Sequence, residues 1–155
     1  MFQRIHDTLH RQQQALGVLG DLLEEEYQLL IHHDTQAVVA LEFSIHELIR
    51  QLAQEKASIV QMLGGGKVLH YAEMLPEEEA QQLRTLFQNI DRGEQRSSRQ
   101  ASVNTELSLA LLDQSQATLT ELHNQVAPKS SLTYGRRGAM DDTRRPQASM
   151  ISGRL

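Results

Sequence analysis

The chain has 155 residues, of which 39% are hydrophobic and only 4% aromatic, and its formal net charge is −5 at pH 7. It contains no cysteine, which excludes disulfides and thiolate zinc sites, and no apolar run approaches the ~18 residues that a membrane-spanning helix needs. Its abundance of Leu, Ala, Gln and Glu favours helices that pack through aliphatic seams, within a single domain at this length.

The charge is divided unevenly along the chain. Residues 128–155 hold six Lys and Arg residues against two Asp residues, a net charge of +4, so the first 127 residues carry −9. Because phosphate contacts need a basic face, this acidic body argues against a nucleic-acid-binding domain. The N-terminal residues have no apolar signal-peptide core, and we therefore expect a cytoplasmic protein.

The first predicted helix covers residues 2–33. Its apolar residues recur at alternating steps of three and four, which is the heptad pattern of a helix that packs along one seam. Gln12 and Glu26 occupy two places in this seam, and the small residues Gly17 and Gly20 are expected to let another helix approach closely. The apolar seam residues are Phe2, Ile5, Leu9, Leu16, Leu19, Leu23 and Leu30.

A tight reversal follows, with Asp34 as the expected N-cap of a second helix over residues 35–63. Three consecutive glycines, residues 64–66, predict its end because glycine accepts the left-handed backbone conformation. Two long helices joined by a short turn predict an antiparallel hairpin, in which Gln12 and Glu55 meet at nearly the same level. The apolar seam residues of this helix are Val38, Leu41, Ile45, Leu48, Leu52, Ile59 and Met62.

A third helix is predicted over residues 76–127, after a short connecting segment at residues 67–75. Pro76 suits a helix start, and no other proline precedes residue 128, so one continuous helix is expected, with a break near Gly93 as the alternative. Its middle, between Ile90 and Val103, has no large apolar residue and is expected to tolerate having no partner within the chain. The apolar seam residues on either side of this middle include Leu83, Leu86, Phe87, Leu107, Leu111, Leu112, Leu119, Leu122 and Val126.

Together these patterns predict an all-α fold. We expect residues 1–127 to form an elongated antiparallel three-helix bundle or coiled coil with a short connecting helix, followed by a flexible basic tail over residues 128–155.

Catalytic and metal-binding patterns are weak throughout the chain. His6 and His10 lie one helical turn apart, but no acidic third ligand stands at a diagnostic spacing, and surface positions are the simpler interpretation. The stretch "LGGGK" follows a helix rather than a strand and lacks the Lys-Ser/Thr ending of a phosphate loop, so we interpret it as a helix stop. We expect no enzymatic activity, no cofactor and no metal.

The layout resembles the FlgN family of flagellar export chaperones over nearly the whole chain. The stretch "LLEEEYQLLIHHDTQAVVALEFSIHELI" at residues 22–49 is similar to the family's leucine-rich region with an Asp at the turn. "SVNTELSLALL" at residues 102–112 resembles the segment with an Asn and spaced leucines. "LTYGRRG" at residues 132–138 resembles the family's Tyr-Gly-x-x-Gly element.

This resemblance implies a non-catalytic chaperone. Family members bind hook–filament junction proteins before export and hand them to the membrane-embedded flagellar type III export gate. Their substrate contacts lie in the C-terminal helix and the segment after it. Carried over to this chain, the implied contacts are Leu107, Leu111, Leu112, Leu119, Leu122 and Val126, with Tyr134 as an aromatic anchor and Arg136 and Arg137 as partners for acidic groups.

The residues alone leave other interpretations open. The leucines at 107–126 also suit a helix that merely contributes to the bundle core. A general helical adaptor or coiled-coil oligomerisation protein without an export role would use the same leucines to self-associate, and a homodimer through the C-terminal helix is compatible with both functions. A metal-dependent helical enzyme is a third hypothesis. The sequence does not say which junction protein is bound, or in what stoichiometry.

Overall fold

The computed structural model describes residues 1–126, and the predicted tail lies outside the described residues. The chain divides into two compact units, Met1–Ser115 and residues 116–155. Within residues 1–126 there are four helices and no strand, which confirms the all-α class. The helices are α1 (Phe2–Ile31), α2 (Thr35–Met62), α3 (Val68–Ala72) and α4 (Glu77–Val126). Helix α4 passes through Gly93 without a break, whereas the division into a bundle of residues 1–127 and a tail remains a prediction.

The turns that separate the helices follow the local chemistry of their residues. The Asp34 carboxylate accepts a hydrogen bond from the Ala37 backbone N–H at 3.0 Å, which confirms the predicted N-cap of α2. His33 before it has a positive φ of 57°. After α2, Gly64 and Gly65 take φ values of 56° and 86°, so the predicted helix stop is confirmed.

Helix α1 is the most deeply buried element of the first unit. Every predicted seam residue except Phe2 is buried, and so are the two polar seam residues, Gln12 and Glu26. Helix α2 packs against α1, but only Ile45 and Ile59 of its seam are fully buried. Helix α1 therefore supplies more of the buried apolar residues than any other helix.

The middle of α4 packs on α1, although its polar residues were expected to tolerate having no partner within the chain. Ser97 and Asn104 are buried, and an ideal Cβ at Gly93 would lie only 3.2 Å from the Cβ of Leu16 on α1. With Ala101, which is half-buried against the core, these residues form a seam of small and polar side chains. Such a seam lets two helix backbones approach closely. The pattern of large apolar residues does not indicate it, because its members are small or polar.

The glycines of α1 do not have the role expected of them. An ideal Cβ at Gly17 or Gly20 would meet no atom within 4 Å, so neither glycine is needed for a close helix contact. The close approach occurs at Gly93 of α4 instead. Each α1 glycine therefore lowers helix propensity, by about 1 kcal/mol relative to Ala, without a packing benefit.

The expected polar layer of the hairpin forms with a different pairing. The Arg11 guanidinium makes two hydrogen bonds to the Glu55 carboxylate, Nε to Oε1 and Nη2 to Oε2, both 3.0 Å long. Because Arg11 adjoins Gln12, this contact places residue 55 of α2 opposite the expected part of α1. The buried Nε2 of Gln12, however, has no hydrogen-bond partner within residues 1–126.

Candidate functional site: an apolar groove and an exposed leucine stripe

The sequence-predicted leucines of α4 fall into two sets that differ in exposure. Leu107 and Leu111 are half-buried, and Leu111 lines a small pocket with Leu29, Leu30 and Val38. For these two residues, a share in the packing of the first unit is the better interpretation. The remaining α4 residues of the predicted site, Leu112, Leu119, Leu122 and Val126, are exposed, and Tyr134, Arg136 and Arg137 lie outside the described residues.

In the second unit, three exposed apolar residues of α4 form what we call the end stripe: Leu119, Leu122 and Val126. Their exposed fractions are 66%, 51% and 81%. The steps of three and four between them place all three on one face of the helix. Burying a side chain of this kind is worth about 1.5–3 kcal/mol, so the stripe is a favourable surface for an apolar partner.

In the first unit, helices α1, α2 and α4 line an open groove of about 640 Å³. Leu16, Leu19 and Leu23 of α1 are buried beneath it. Its sides carry the exposed apolar residues Ile49 of α2 and Leu109 and Leu112 of α4. Leu112 of the predicted site thus belongs to this groove. A groove whose apolar walls come from three helices is a suitable binding site for another amphipathic helix.

Asn104 joins α4 to α1 at one part of this groove. It is only 2% exposed, and its Nδ2 donates to the Leu23 carbonyl oxygen at 2.8 Å and to Glu26 Oε2 at 2.7 Å. Its Oδ1 accepts a hydrogen bond from Gln100 Nε2 at 3.0 Å. The side-chain amide of Asn104 therefore has hydrogen-bond partners for both its nitrogen and its oxygen. Its bonds to α1 fix the position of α4 along that helix.

Glu26 and Glu42 form a carboxyl pair in the same groove. Burial raises the pKa of Glu26, the hydrogen bond from Asn104 lowers it, and the hydrogen bond and charge of Glu42 raise it further, so the net direction is upward. On α2, His46 Nε2 lies 3.7 Å from Glu42 Oε2. Burial is the largest of these causes and the neighbouring Glu42 carboxylate adds to it, so both disfavour the ionised form of Glu26.

Neither a metal site nor a membrane span is found in the described residues. Between residues 1 and 126, no group of three or more His, Cys, Asp or Glu residues is arranged to hold a metal ion. His6 and His10 stack on each other with ring centroids 6.4 Å apart. In the same part of the chain, no helix is long and apolar enough to cross a membrane.

Sequence reasoning missed the groove and its polar residues. The missing signal was a path of small and polar residues at helical steps of three and four, which follows Leu86 and Ile90 along α4: Gly93, Ser97, Ala101, Asn104 and Ser108. The heptad spacing of α1 identifies Glu26 as a seam residue, but it predicts no role for Glu42 or His46 of α2. Only the relative placement of three helices brings these side chains together.

Comparison with known proteins gives one match. A family model described as FlgN protein matches residues 1–142 of the chain. No curated protein and no solved structure matches the chain significantly. The match covers all the described helices and extends beyond them, so it includes both the groove and the end stripe.

Proposed function

The chain belongs to the FlgN family of flagellar export chaperones, and from this premise we propose that it binds hook–filament junction proteins before their export. In this proposal the C-terminal part of α4 holds the substrate, and the chaperone then delivers it to the flagellar type III export apparatus. The family is one of chaperones rather than enzymes, and the proposed activity is reversible protein binding in the cytoplasm.

The single observation that carries this proposal is the exposure of the end stripe. Leu119, Leu122 and Val126 project from one face of α4 and are more than half exposed. A junction subunit whose terminal helices normally pack with neighbouring subunits exposes an apolar face while it is alone. Covering that face with the end stripe removes apolar surface from water on both partners.

The binding must also be reversible, because the substrate is released for export. Three apolar side chains offer a small contact area, and the cost of association leaves only a moderate net affinity. We propose that Tyr134, Arg136 and Arg137 extend the surface beyond α4, with the Tyr as an apolar anchor and the arginines as partners for acidic groups on the substrate or the export gate.

The experiment that tests this proposal is a pull-down from an extract of flagellated cells. The full chain is expected to retain hook–filament junction proteins, and a chain that lacks residues 128–155 is expected to retain less of them. The proposal is contradicted if the full chain retains no hook–filament junction protein. Equal retention by both chains restricts the binding surface to the helices.

A general adaptor or oligomerisation protein is the second candidate function, because the end stripe would serve self-association equally well. Light scattering of the purified chain, alone and with a junction subunit, separates the two. A chaperone is expected to form a complex of chain and subunit. A stable dimer that the subunit leaves unchanged favours the oligomerisation protein.

A further inference from the structure

The groove of the first unit is long enough to contact several turns of a helix laid along it. Its α4 side extends from Glu94 to Leu112, and these eighteen residue steps correspond to about 27 Å at 1.5 Å per residue. Leu16, Leu19 and Leu23 lie beneath, and the side chain of Leu109 is 56% exposed at the side. An apolar helix face laid along the groove would cover side chains that water now contacts.

Apart from one histidine, all the ionisable residues that line the groove are acidic. Three carboxylates line it, those of Glu26, Glu42 and Glu94, and no Lys or Arg does. Glu94 already has a cationic partner, since its Oε1 lies 3.4 Å from Lys56 Nζ. Among residues 1–126, the Glu26–Glu42 pair has no ion pair with a Lys or Arg. Its one basic neighbour is His46, at 3.7 Å from Glu42.

Apolar walls and an unmatched carboxyl pair together define the chemistry of a suitable occupant. We propose that the groove binds an amphipathic helix of the export substrate, whose apolar face covers the groove and whose one Lys or Arg side chain forms an ion pair with Glu26 and Glu42. The inference rests on the proposed function and adds a second contact region, in the first unit, to that function.

The carboxyl pair makes this binding dependent on pH. In the free protein, burial and the nearby Glu42 carboxylate raise the pKa of Glu26, whereas a cationic side chain favours the ionised form of Glu26. When the helix binds at a pH at which Glu26 is partly protonated, that proton leaves for the solvent, and the N–H groups of the cation donate to the carboxylate oxygens in its place. Affinity is therefore expected to fall when the pH decreases through the raised pKa of Glu26.

The groups that face the pair come from all three helices. Helix α2 contributes Glu42 and His46, and α4 contributes the neutral Asn104, which donates to Glu26 of α1. Protonation of His46 at acidic pH would favour ionised carboxylates and so oppose the effect of the pair. A His46→Gln variant removes this opposition and leaves the carboxyl pair intact.

The test is calorimetry of the full chain with a purified hook–filament junction subunit, in two buffers that differ in ionisation enthalpy. The unaltered chain and His46→Gln are expected to release a proton on binding at mildly acidic pH. Glu42→Gln is expected to bind about tenfold more weakly and to release less of a proton, because burial of Glu26 remains but its carboxylate neighbour is lost. Glu25→Gln, the same charge change at an exposed position of α1, is the matched control and is expected to stay within about twofold.

A second variant addresses the apolar part of the groove and guards against misfolding of Glu42→Gln. Leu109→Asp alters an exposed side chain, so the helical circular dichroism is expected to stay unchanged while affinity falls at least tenfold. Unchanged affinity in both variants, or no proton release by the unaltered chain, overturns the groove inference but leaves the proposed function standing.

Two further outcomes would also overturn the inference. If the full chain does not bind the junction subunit at all, the proposed function fails and the inference fails with it. If the chain alone is a dimer by light scattering and Leu109→Asp makes it a monomer, the occupant is a second copy of the chain rather than a substrate helix.

Discussion

Two stretches of the same helix, α4, show that packing does not follow leucine content. The stretch up to Asn104 buries Leu83, Leu86 and Ile90 in the hydrophobic core, and it then packs on α1 at Gly93 and Asn104, through small and polar residues. The end stripe, at residues 119–126, has large apolar side chains at regular helical spacing, and they are exposed. Among residues 1–126, what decides burial is therefore the presence of a facing helix rather than the local apolar pattern.

The difference suggests a division of work along the helix. Stability comes from the first stretch, where a gap of one methyl group matters because the side chains are closely packed. The end stripe contributes little to folding and is available for binding. Substitutions that compare the two stretches can test this division directly.

The largest expected effect is that of Leu83→Ala compared with Leu122→Ala. Leu83 is 0% exposed, so its truncation leaves a cavity and is expected to lower the free energy of unfolding by about 2–5 kcal/mol. Leu122 is half exposed, and its truncation is expected to change that energy by less than about 0.5 kcal/mol. Urea unfolding measures both, and equal losses would contradict the division.

The second comparison concerns two asparagines of α4. Asn104→Ala removes the donor to Glu26 and to the Leu23 carbonyl oxygen, and it is expected to cost about 1–3 kcal/mol of unfolding free energy. Asn124→Ala, at an exposed position near the end of the helix, is the control and is expected to be nearly neutral. If Asn104→Ala is also neutral, the polar contacts do not hold α4 on α1.

The third comparison uses glycines. Gly20→Ala on α1 is expected to raise the free energy of unfolding by about 1 kcal/mol, because helix propensity improves and the new Cβ has open space. Gly93→Ala gains the same propensity but brings its Cβ to 3.2 Å from Leu16, so it is expected to be at least about 1 kcal/mol less stable than Gly20→Ala. Equal thermal midpoints for the two variants would show that α4 does not pack closely at Gly93.

The smallest expected effect is a pH dependence at Glu26. Its pKa is raised in the folded chain, so the stability that this group contributes is complete below its unfolded-state pKa and is lost as the pH rises through the folded-state pKa. Glu26→Gln does not ionise and is therefore expected to raise the thermal midpoint at pH 8. At pH 4 the difference from the unaltered chain is expected to disappear. A constant difference across this range would contradict the raised pKa.

The sequence was a good guide where the pattern was made of large residues. The seam of α1, the N-cap at Asp34 and the helix stop at Gly64 and Gly65 were all predicted, because each depends on local chemistry and spacing. The α4 seam around Gly93 was not predicted. Its small and polar residues are buried only because α1 packs against them, and their own pattern does not indicate that.

The candidate site was predictable only in part, for the same reason. Spacing identified the leucines of α4 but did not separate the half-buried Leu107 and Leu111 from the exposed end stripe. The contact between Glu26 and Glu42 joins residues of two helices, and a single helical pattern holds no information about it. The roles of all these residues in binding remain predictions.

The most direct test of the central claim, that the end stripe binds the export substrate, is the affinity of a purified hook–filament junction subunit for the double variant Leu119→Asp/Leu122→Asp. The matched control is Val39→Asp/Phe43→Asp, which alters two exposed apolar residues of α2 in the same way. By calorimetry, the stripe variant is expected to bind at least about tenfold more weakly than the control while keeping its helical circular dichroism. Equal affinities of the two variants would contradict the claim.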